Sequence, residues 1–368
     1  MKKRILTINP GSTSTKAALF EKGVLVKSVE INHTPGDADG ILRAPRIMDQ
    51  LGPRVKALRR EIGELGELQA VVGRGGFLAP MPGGVYRIGQ VMLEELAQAR
   101  HGEHASNLGA FMAREIAKYH AGDHHCPALV VDPVVTDELM EAARLTGLPE
   151  ISRRSIFHAL SQRAAAREAA SRLGIDYERG RFVVAHLGGG VSVGAHLKGR
   201  VVDVTNALDG EGPFGPERSG ALPLLPVLHL LESGLYTPAG LRTVMTTQAG
   251  LAAHLGSADL RQAEDRMNAG DEKARSVFEA LAYAVAKAVA SMAPALEGRV
   301  EAVVLTGGMA RSTRLTHAIT RLTAFLGPVV VVAGLQELEA MERGAALALA
   351  GKLPIQEYPP PGSREIEE

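Results

Sequence analysis

One pattern occurs twice in this chain, and any fold must accommodate both copies. In the first, Ile5-Leu6-Thr7-Ile8 runs into Asn9-Pro10-Gly11-Ser12-Thr13-Ser14-Thr15-Lys16, resumes as Ala17-Ala18-Leu19-Phe20 and turns at Lys22-Gly23 before Val24-Leu25-Val26. In the second, Phe182-Val183-Val184-Ala185 meets His186-Leu187-Gly188-Gly189-Gly190, resumes as Val191-Ser192-Val193-Gly194-Ala195 and turns at Lys198-Gly199. Apolar and β-branched runs on either side of a glycine turn spell a strand, a tip and a returning strand. With Gly11 laid over Gly188 and Gly23 over Gly199, the copies differ by one residue between those glycines. Internal similarity of this kind implies a duplicated architecture.

A tip built of Gly, Ser and Thr offers backbone N–H groups and hydroxyls with few Cβ atoms in the way, so an anion can come close. One such tip alone is an ordinary tight hairpin. Two at equivalent places predict a nucleotide clamped between similar domains. Familiar nucleotide motifs fit poorly. Gly188, Gly190 and Gly194 are followed by a strand, whereas the dinucleotide fingerprint opens a helix. The Gly351-Lys352 pair is followed by Leu353, not by the Ser or Thr of a Walker loop.

At 368 residues the length suits two domains. Lys plus Arg and Asp plus Glu number 41 each, so no basic excess points to nucleic acid, and the expected partner is small. Cys126 is the only cysteine, which excludes an internal disulfide framework and fits a reducing compartment. The apolar run after Met1-Lys2-Lys3-Arg4 stops at Ile8, so no signal peptide is expected. The apolar stretch 281–296 is interrupted by Lys287 and Pro294 and reads as too short for a bilayer. The expectation is a cytoplasmic chain without a membrane anchor.

Between and after the copies, 35–45 reads as a polar loop and 47–62 as a helix. Residues 68–72 read as a strand ending in Gly73-Arg74-Gly75-Gly76, which points Arg74 at the crevice where open α/β sheets bind ligands. The stretch 129–131 is a short strand ending at Asp132-Pro133. Asp before Pro is a common turn, and a carboxylate at a strand end can also hold a hydrated Mg²⁺; the spacing leaves both readings open. His124-His125-Cys126 lacks metal-ligand spacing and reads as loop. A helix is expected over 153–172, with His158 early in it. Residues 206–220 hold too many Gly and Pro for regular structure, and Arg218 is their natural working residue. Thr306-Gly307-Gly308-Met309 between a strand and a helix starting near Thr313 suits a nucleotide at a helix N-terminus. The tail from Pro354 reads as frayed.

INPGSTSTK, GRGG, EHASNLG, HLGGGVSVGAH, GPFGPERSG and LTGGMARS, in this order over almost the whole chain, resemble the acetate kinase family, on its butyrate-specific branch. That family belongs to the sugar kinase, Hsp70 and actin superfamily. The resemblance implies two duplicated actin-like (ribonuclease H-like) α/β domains, each a five-stranded mixed sheet flanked by helices, with ATP in the cleft between them. The expected domains are 1–155 with about 338–352, carrying the acyl substrate, and 156–337, carrying the nucleotide, followed by a tail from 353.

The implied activity is reversible transfer of the γ-phosphate of ATP to butyrate or a branched short-chain acid, giving an acyl phosphate and ADP, with Mg²⁺. Acetate or propionate as acceptor is the alternative within the family, and an ATP-gated binding protein the alternative outside enzymes. A homodimer or higher homo-oligomer is also implied. The resemblance puts Asn9, Arg74, His104, His158 and Arg218 at the chemistry. It puts Ser12, Thr13, Ser14, Lys16, His186, Gly188, Gly189, Gly190, Gly307, Gly308 and Met309 around the nucleotide, and Asp132 and Glu337 on the Mg²⁺ side. Acetate kinases carry a valine where this chain has Gly73, which implies room for a longer acyl chain, with Phe157 lining the same pocket.

Overall fold

The computed structural model describes residues 4–34, 41–120 and 126–359. Most of the expected loop at 35–45, the pair His124-His125, the first three residues and the end of the tail lie outside them. The chain divides into two compact units, Met1–Asp137 with Gln336–Glu368, and Glu138–Leu335.

The first unit contains β1 (Arg4–Pro10), β2 (Ser14–Glu21), β3 (Val24–Asn32), α1 (Leu51–Ile62), β4 (Leu68–Gly73), β5 (Val85–Arg87), α2 (Gln90–Gln98), α3 (Leu108–His120) and β6 (Ala128–Val131). The second contains α4 (Glu141–Arg144), α5 (Ala159–Leu173), β7 (Arg181–Leu187), β8 (Val191–Leu197), β9 (Arg200–Val204), α6 (Leu224–Glu232), α7 (Pro238–Thr247), α8 (Gly250–Leu255), α9 (Leu260–Asn268) and α10 (Glu272–Ser291). It closes with β10 (Ala302–Gly307), α11 (Thr313–Thr323) and β11 (Val329–Ala333). The chain then returns to the first unit as α12 (Glu337–Leu349) and β12 (Ile355–Gln356).

The second sheet has the order β11-β10-β7-β8-β9, and the first contains the same arrangement as β6-β4-β1-β2-β3. In both, the hairpin strands pair antiparallel and the two crossover strands pair parallel. The likeness extends to detail. Lys22 (φ 52°) with Gly23 (φ 80°) and Lys198 (φ 49°) with Gly199 (φ 79°) make the same left-handed turn. Each hairpin then slips register four residues before its turn glycine, at Leu19/Phe20 and at Ala195/His196. The one-residue difference lies in the tips. Four residues separate the paired Pro10 and Thr15, and three separate Leu187 and Val191.

The first unit departs from five strands. β5 and β12 extend its sheet to seven, in the order β12-β5-β6-β4-β1-β2-β3. The tail is therefore not free from Pro354: Ile355 and Gln356 pair with Val85 and Tyr86, and Tyr358 is buried. The Tyr358 hydroxyl donates to Glu95 at 2.6 Å. The boundary between units falls at 137/138 rather than 155/156, because the intervening segment binds β9. Met140 N–H donates to Val202 O, and the buried Glu138 accepts from Val201 N–H and pairs with Arg163 at 3.1 Å.

The helix expected over 153–172 begins at Ala159. Arg153 holds the preceding residues out of it by donating to Ala143 O, Val204 O, Asp203 and Glu211. The apolar stretch 281–296 is not one helix: α10 runs from Glu272 to Ser291, and a 3₁₀ turn follows at Pro294–Leu296. The stretch Glu272–Leu296 is long and apolar enough to cross a membrane by length and composition, and half of it is buried. Val277, Leu281, Val285 and Val289 of α10 pack into the core under β7, β8 and β10.

Candidate active site

In the first unit, β1 delivers Asn9 to the mouth of its hairpin tip. Asn9 Nδ2 donates to Glu337 Oε2 at 2.6 Å, and Arg74 Nη2 lies 3.4 Å from Glu337 Oε1. Asn9, Arg74 and Glu337, 328 residues apart at the extremes, thus meet at one point. A cavity of about 530 Å³ opens beside them, bordered by Lys16, Phe20, Val29 and Leu338. Lys16 pairs with Glu30 across the strands at 3.1 Å, and Ser12 and Thr13 are exposed at the tip.

Asp132 is buried (2 %) at the end of β6, with φ 39°. A non-glycine residue in that left-handed region costs free energy that the surrounding fold must supply. Asp tolerates it better than most side chains do.

The tip of this hairpin rests on a residue that sequence reasoning missed. Arg54 of α1 is fully buried. It donates to Gly11 O (2.9 Å), Ser12 O (3.2 Å), Ser14 O (3.0 Å), Thr15 Oγ1 (3.0 Å) and Gln50 Oε1 (2.8 Å). Every acceptor is neutral. Burial pushes the guanidinium down to about 10, so it keeps its charge at neutral pH.

GRGG and EHASNLG interlock. A Cβ on Gly73 would stand 2.1 Å from Gly109 O, one on Gly76 2.4 Å from Asn107 Oδ1, and one on Gly109 2.3 Å from Arg74 O. The end of β4 and the start of α3 therefore touch backbone to backbone. This corrects the acyl-pocket expectation for Gly73, since the room its missing side chain leaves is filled by α3. Asn107 also accepts from Phe77 N–H at 3.0 Å, and its Nδ2 donates to Gly102 O. His104, exposed beside this knot, accepts from Ser106 N–H through Nδ1 at 3.1 Å, so its neutral ring carries the proton on Nε2. Burial, and then the charge of Arg74, hold its pKa below the ordinary histidine value.

In the second unit, His158 and His186 stack with centroids 3.9 Å apart and planes 13° off parallel. Gly190 completes the corner: a Cβ there would meet Arg218 Nη1 at 2.2 Å and His158 Cε1 at 3.5 Å. Arg218 Nη1 donates to Ala207 O at 3.1 Å, which ties the two ends of the irregular stretch 206–220 to each other. Burial lowers the Arg218 guanidinium from its ordinary value.

Gly188 packs on His186, whose Nε2 would lie 2.6 Å from its Cβ, while a Cβ on Gly189 would meet nothing within 4 Å. Gly307 (φ 93°) fits under Leu187, and Gly308 is open. A short turn, Met309–Arg311, separates these glycines from α11, whose first turn is capped by Ser312 Oγ accepting from Leu315 N–H. The helix thus begins at Thr313, where the sequence placed it, with the short turn Met309–Arg311 between it and the glycines. Phe157 is 3 % exposed and packs with Leu139, Ala143, Val201 and Val204, which places it in a core cluster rather than along an open pocket.

Solved structures share this architecture. The Porphyromonas gingivalis acetate kinase structure superposes with a TM-score of 0.75 at 20 % identity, covering 94 % of this chain and 100 % of that one. A Francisella tularensis propionate kinase gives 0.71 at 19 %, covering 93 % and 98 %. The likeness shows that the chain shares their fold, two α/β units built on the same strand arrangement.

The Acetokinase family matches residues 92–330, and the chain belongs to that family. A probable butyrate kinase of Oleidesulfovibrio alaskensis is 50 % identical over 96 % of this chain and 98 % of its own. Probable butyrate kinases of Maridesulfovibrio salexigens and Listeria monocytogenes are 48 % and 43 % identical, covering 97 % and 96 % of this chain and 99 % of each relative.

Proposed function

We propose that this carboxylate kinase moves the γ-phosphoryl group of ATP onto butyrate or a branched short-chain acid, reversibly, giving an acyl phosphate and ADP. The observation that carries this reading is the near-full-length identity, up to 50 %, with relatives named probable butyrate kinase. The non-enzyme alternative finds no support, since these relatives are named as kinases over nearly their whole length.

The acceptor needs no general base. A short-chain acid is ionised at neutral pH, and the difficulty is bringing two anions together. The donors found here suit that task. Arg218, His158 and His186 gather in the second unit, and Arg74 and His104 lie near each other in the first. Cationic and N–H donors aimed at the equatorial oxygens of the transferring phosphoryl group stabilise the charge that spreads over them. Arg218 can engage two oxygens at once, which a lysine cannot. The hydroxyls of Ser12 and Ser14 and the bare amides of Gly188 to Gly190 suit the nucleotide phosphates.

Among the described residues no three His, Cys, Asp or Glu side chains group as a metal cage. That fits Mg²⁺, which keeps most of its waters and is held by one or two carboxylates plus substrate phosphates. Asp132 and Glu337 would hold it, and when bound it would neutralise charge on the phosphates. Asn9 and Arg74 fix the Glu337 carboxylate for that purpose.

Balanced charge supports a small-molecule partner rather than nucleic acid, and the reaction is assigned to the cytoplasm. All of α6 lies without a buried residue, with Leu224 and Leu225 more than 65 % exposed, which supports association of copies through this face. Acyl-hydroxamate formation with C2 to C5 acids at fixed Mg·ATP tests the assignment. The highest kcat/KM is expected for butyrate or a branched C4 or C5 acid; a clear preference for acetate would replace it with the acetate or propionate reading.

A further inference from the structure

Three residues on one face of β8, Ser192, Gly194 and His196, are left unexplained by phosphate binding, although they sit in the most glycine-rich motif of the chain. Alternation along a strand puts all three on the same side. Gln162 of α5 lies against all of them. Its amide nitrogen, Nε2, donates to Ser192 O (3.1 Å) and Ser192 Oγ (2.9 Å), and its Oε1 lies 3.1 Å from His196 Nε2. A Cβ at Gly194 would stand 2.6 Å from that Oε1, so the glycine makes room for the amide.

The directions of these bonds follow from chemistry. A carbonyl oxygen only accepts, so the amide nitrogen must face Ser192 O, and Gln162 Oε1 must accept from His196 Nε2–H. His196 then takes the Tyr177 hydroxyl, at 3.0 Å, on Nδ1. Ser192 Oγ accepts from Gln162 Nε2 and, at 3.5 Å, from His158 N–H. With both lone pairs occupied, its own proton has one destination, His158 Nδ1 at 2.8 Å.

We infer that Gln162 and Ser192, backed by His196 and Tyr177, are positioning residues that fix His158 in the tautomer with its proton on Nε2, so that the ring can only donate toward the transferring phosphoryl group. This rests on the role proposed above for His158. The ring that must donate is thus set by a buried chain running from Tyr177 to the site, and the stacked His186 holds its plane.

A double-mutant cycle tests the inference. Ser192→Ala should lower kcat roughly 10- to 100-fold, the scale of lost orienting partners, with KM for ATP changed little. In a His158→Ala background the same substitution should cost nothing further. An undiminished loss in that background overturns the inference. A fully active His158→Ala overturns the role of His158 itself, and the inference falls with it by a separate and recognisable result.

Nitrogen-15 spectra of the unaltered chain make the test independent of how any variant folds. The His158 ring should show a bare Nδ1 and a protonated Nε2, and a protonated Nδ1 overturns the inference. Gln162→Glu gives a further check, because a carboxylate cannot donate to Ser192 O. It should shift the pH profile of kcat; an unchanged profile counts against the chain of bonds.

Discussion

Arg54→Met removes the strut beneath the first hairpin tip while keeping most of its volume. The arginine serves five acceptors, and two of them, Ser14 O and Thr15 Oγ1, retain another partner in Gly11 N–H and His33. Ser12 is exposed, so its carbonyl can find water. Gly11 O and Gln50 Oε1 remain. An orphaned buried acceptor costs about 1–3 kcal/mol, and charge-assisted bonds of this kind contribute about as much each. Removing a desolvated cation returns part of that sum, and we expect a net loss of about 3 kcal/mol in the first unit.

For a unit of this size that corresponds to about 6–12 °C in melting temperature. A tip displaced by about 1 Å should also lose on the order of 100-fold in kcat/KM for ATP. Scanning calorimetry and steady-state kinetics measure the two effects. Arg54→Lys, which keeps the charge but gathers its donors at one atom, should lie between the parent and Arg54→Met. A melting temperature within about 1 °C of the parent for Arg54→Met, with unaltered ATP kinetics, would refute the idea that the tip depends on this residue.

Further outcomes are expected elsewhere. Gly73→Ala should destabilise the first unit severely, since its methyl would meet backbone at Gly109, and thermal melts should register this with no widening or narrowing of acid preference in whatever activity survives. Asp132→Asn should lose activity through weakened metal binding and recover part of it at high Mg²⁺; an identical defect at every Mg²⁺ concentration would count against that role. Burial, and then Arg163 and Arg167, hold His196 well below the ordinary histidine pKa. The unfolded chain therefore takes up this proton first as pH falls through about 6.5. The stability contributed by the neutral ring is full above that value and declines below it. Melting temperature should drop between pH 7 and pH 5, and His196→Gln should make that drop shallower.

The two hairpins were legible because Lys-Gly turns and glycine tips between β-branched runs are local signals; the register slip they share was not legible and is seen only in the strand pairing. Of the candidate site residues, Arg74 and Asp132 could also be picked out by their place at strand ends, whereas Asn9 came from the resemblance alone. Arg54 could not: in the sequence it is one of several charges spaced along an amphipathic helix, and only the approach of the β1–β2 tip gives it acceptors. The strands β5 and β12 are three and two residues long, too short to show alternation. The extended stretch before Ala159 was read as helix because its neighbours favour one, whereas four acceptors distant in sequence hold Arg153 in place. Gly73 was read as an enlarged pocket because a missing side chain suggests emptiness, and only the packed chain reveals that a helix occupies the gap.

The two hairpins share strands and turns and differ at their tips. One tip has an extra residue and carries side-chain oxygens; the other presents bare main chain. A chimera with the tips exchanged should therefore keep the strand pairing of each half while swapping hydroxyls for main-chain amides at the end of each sheet.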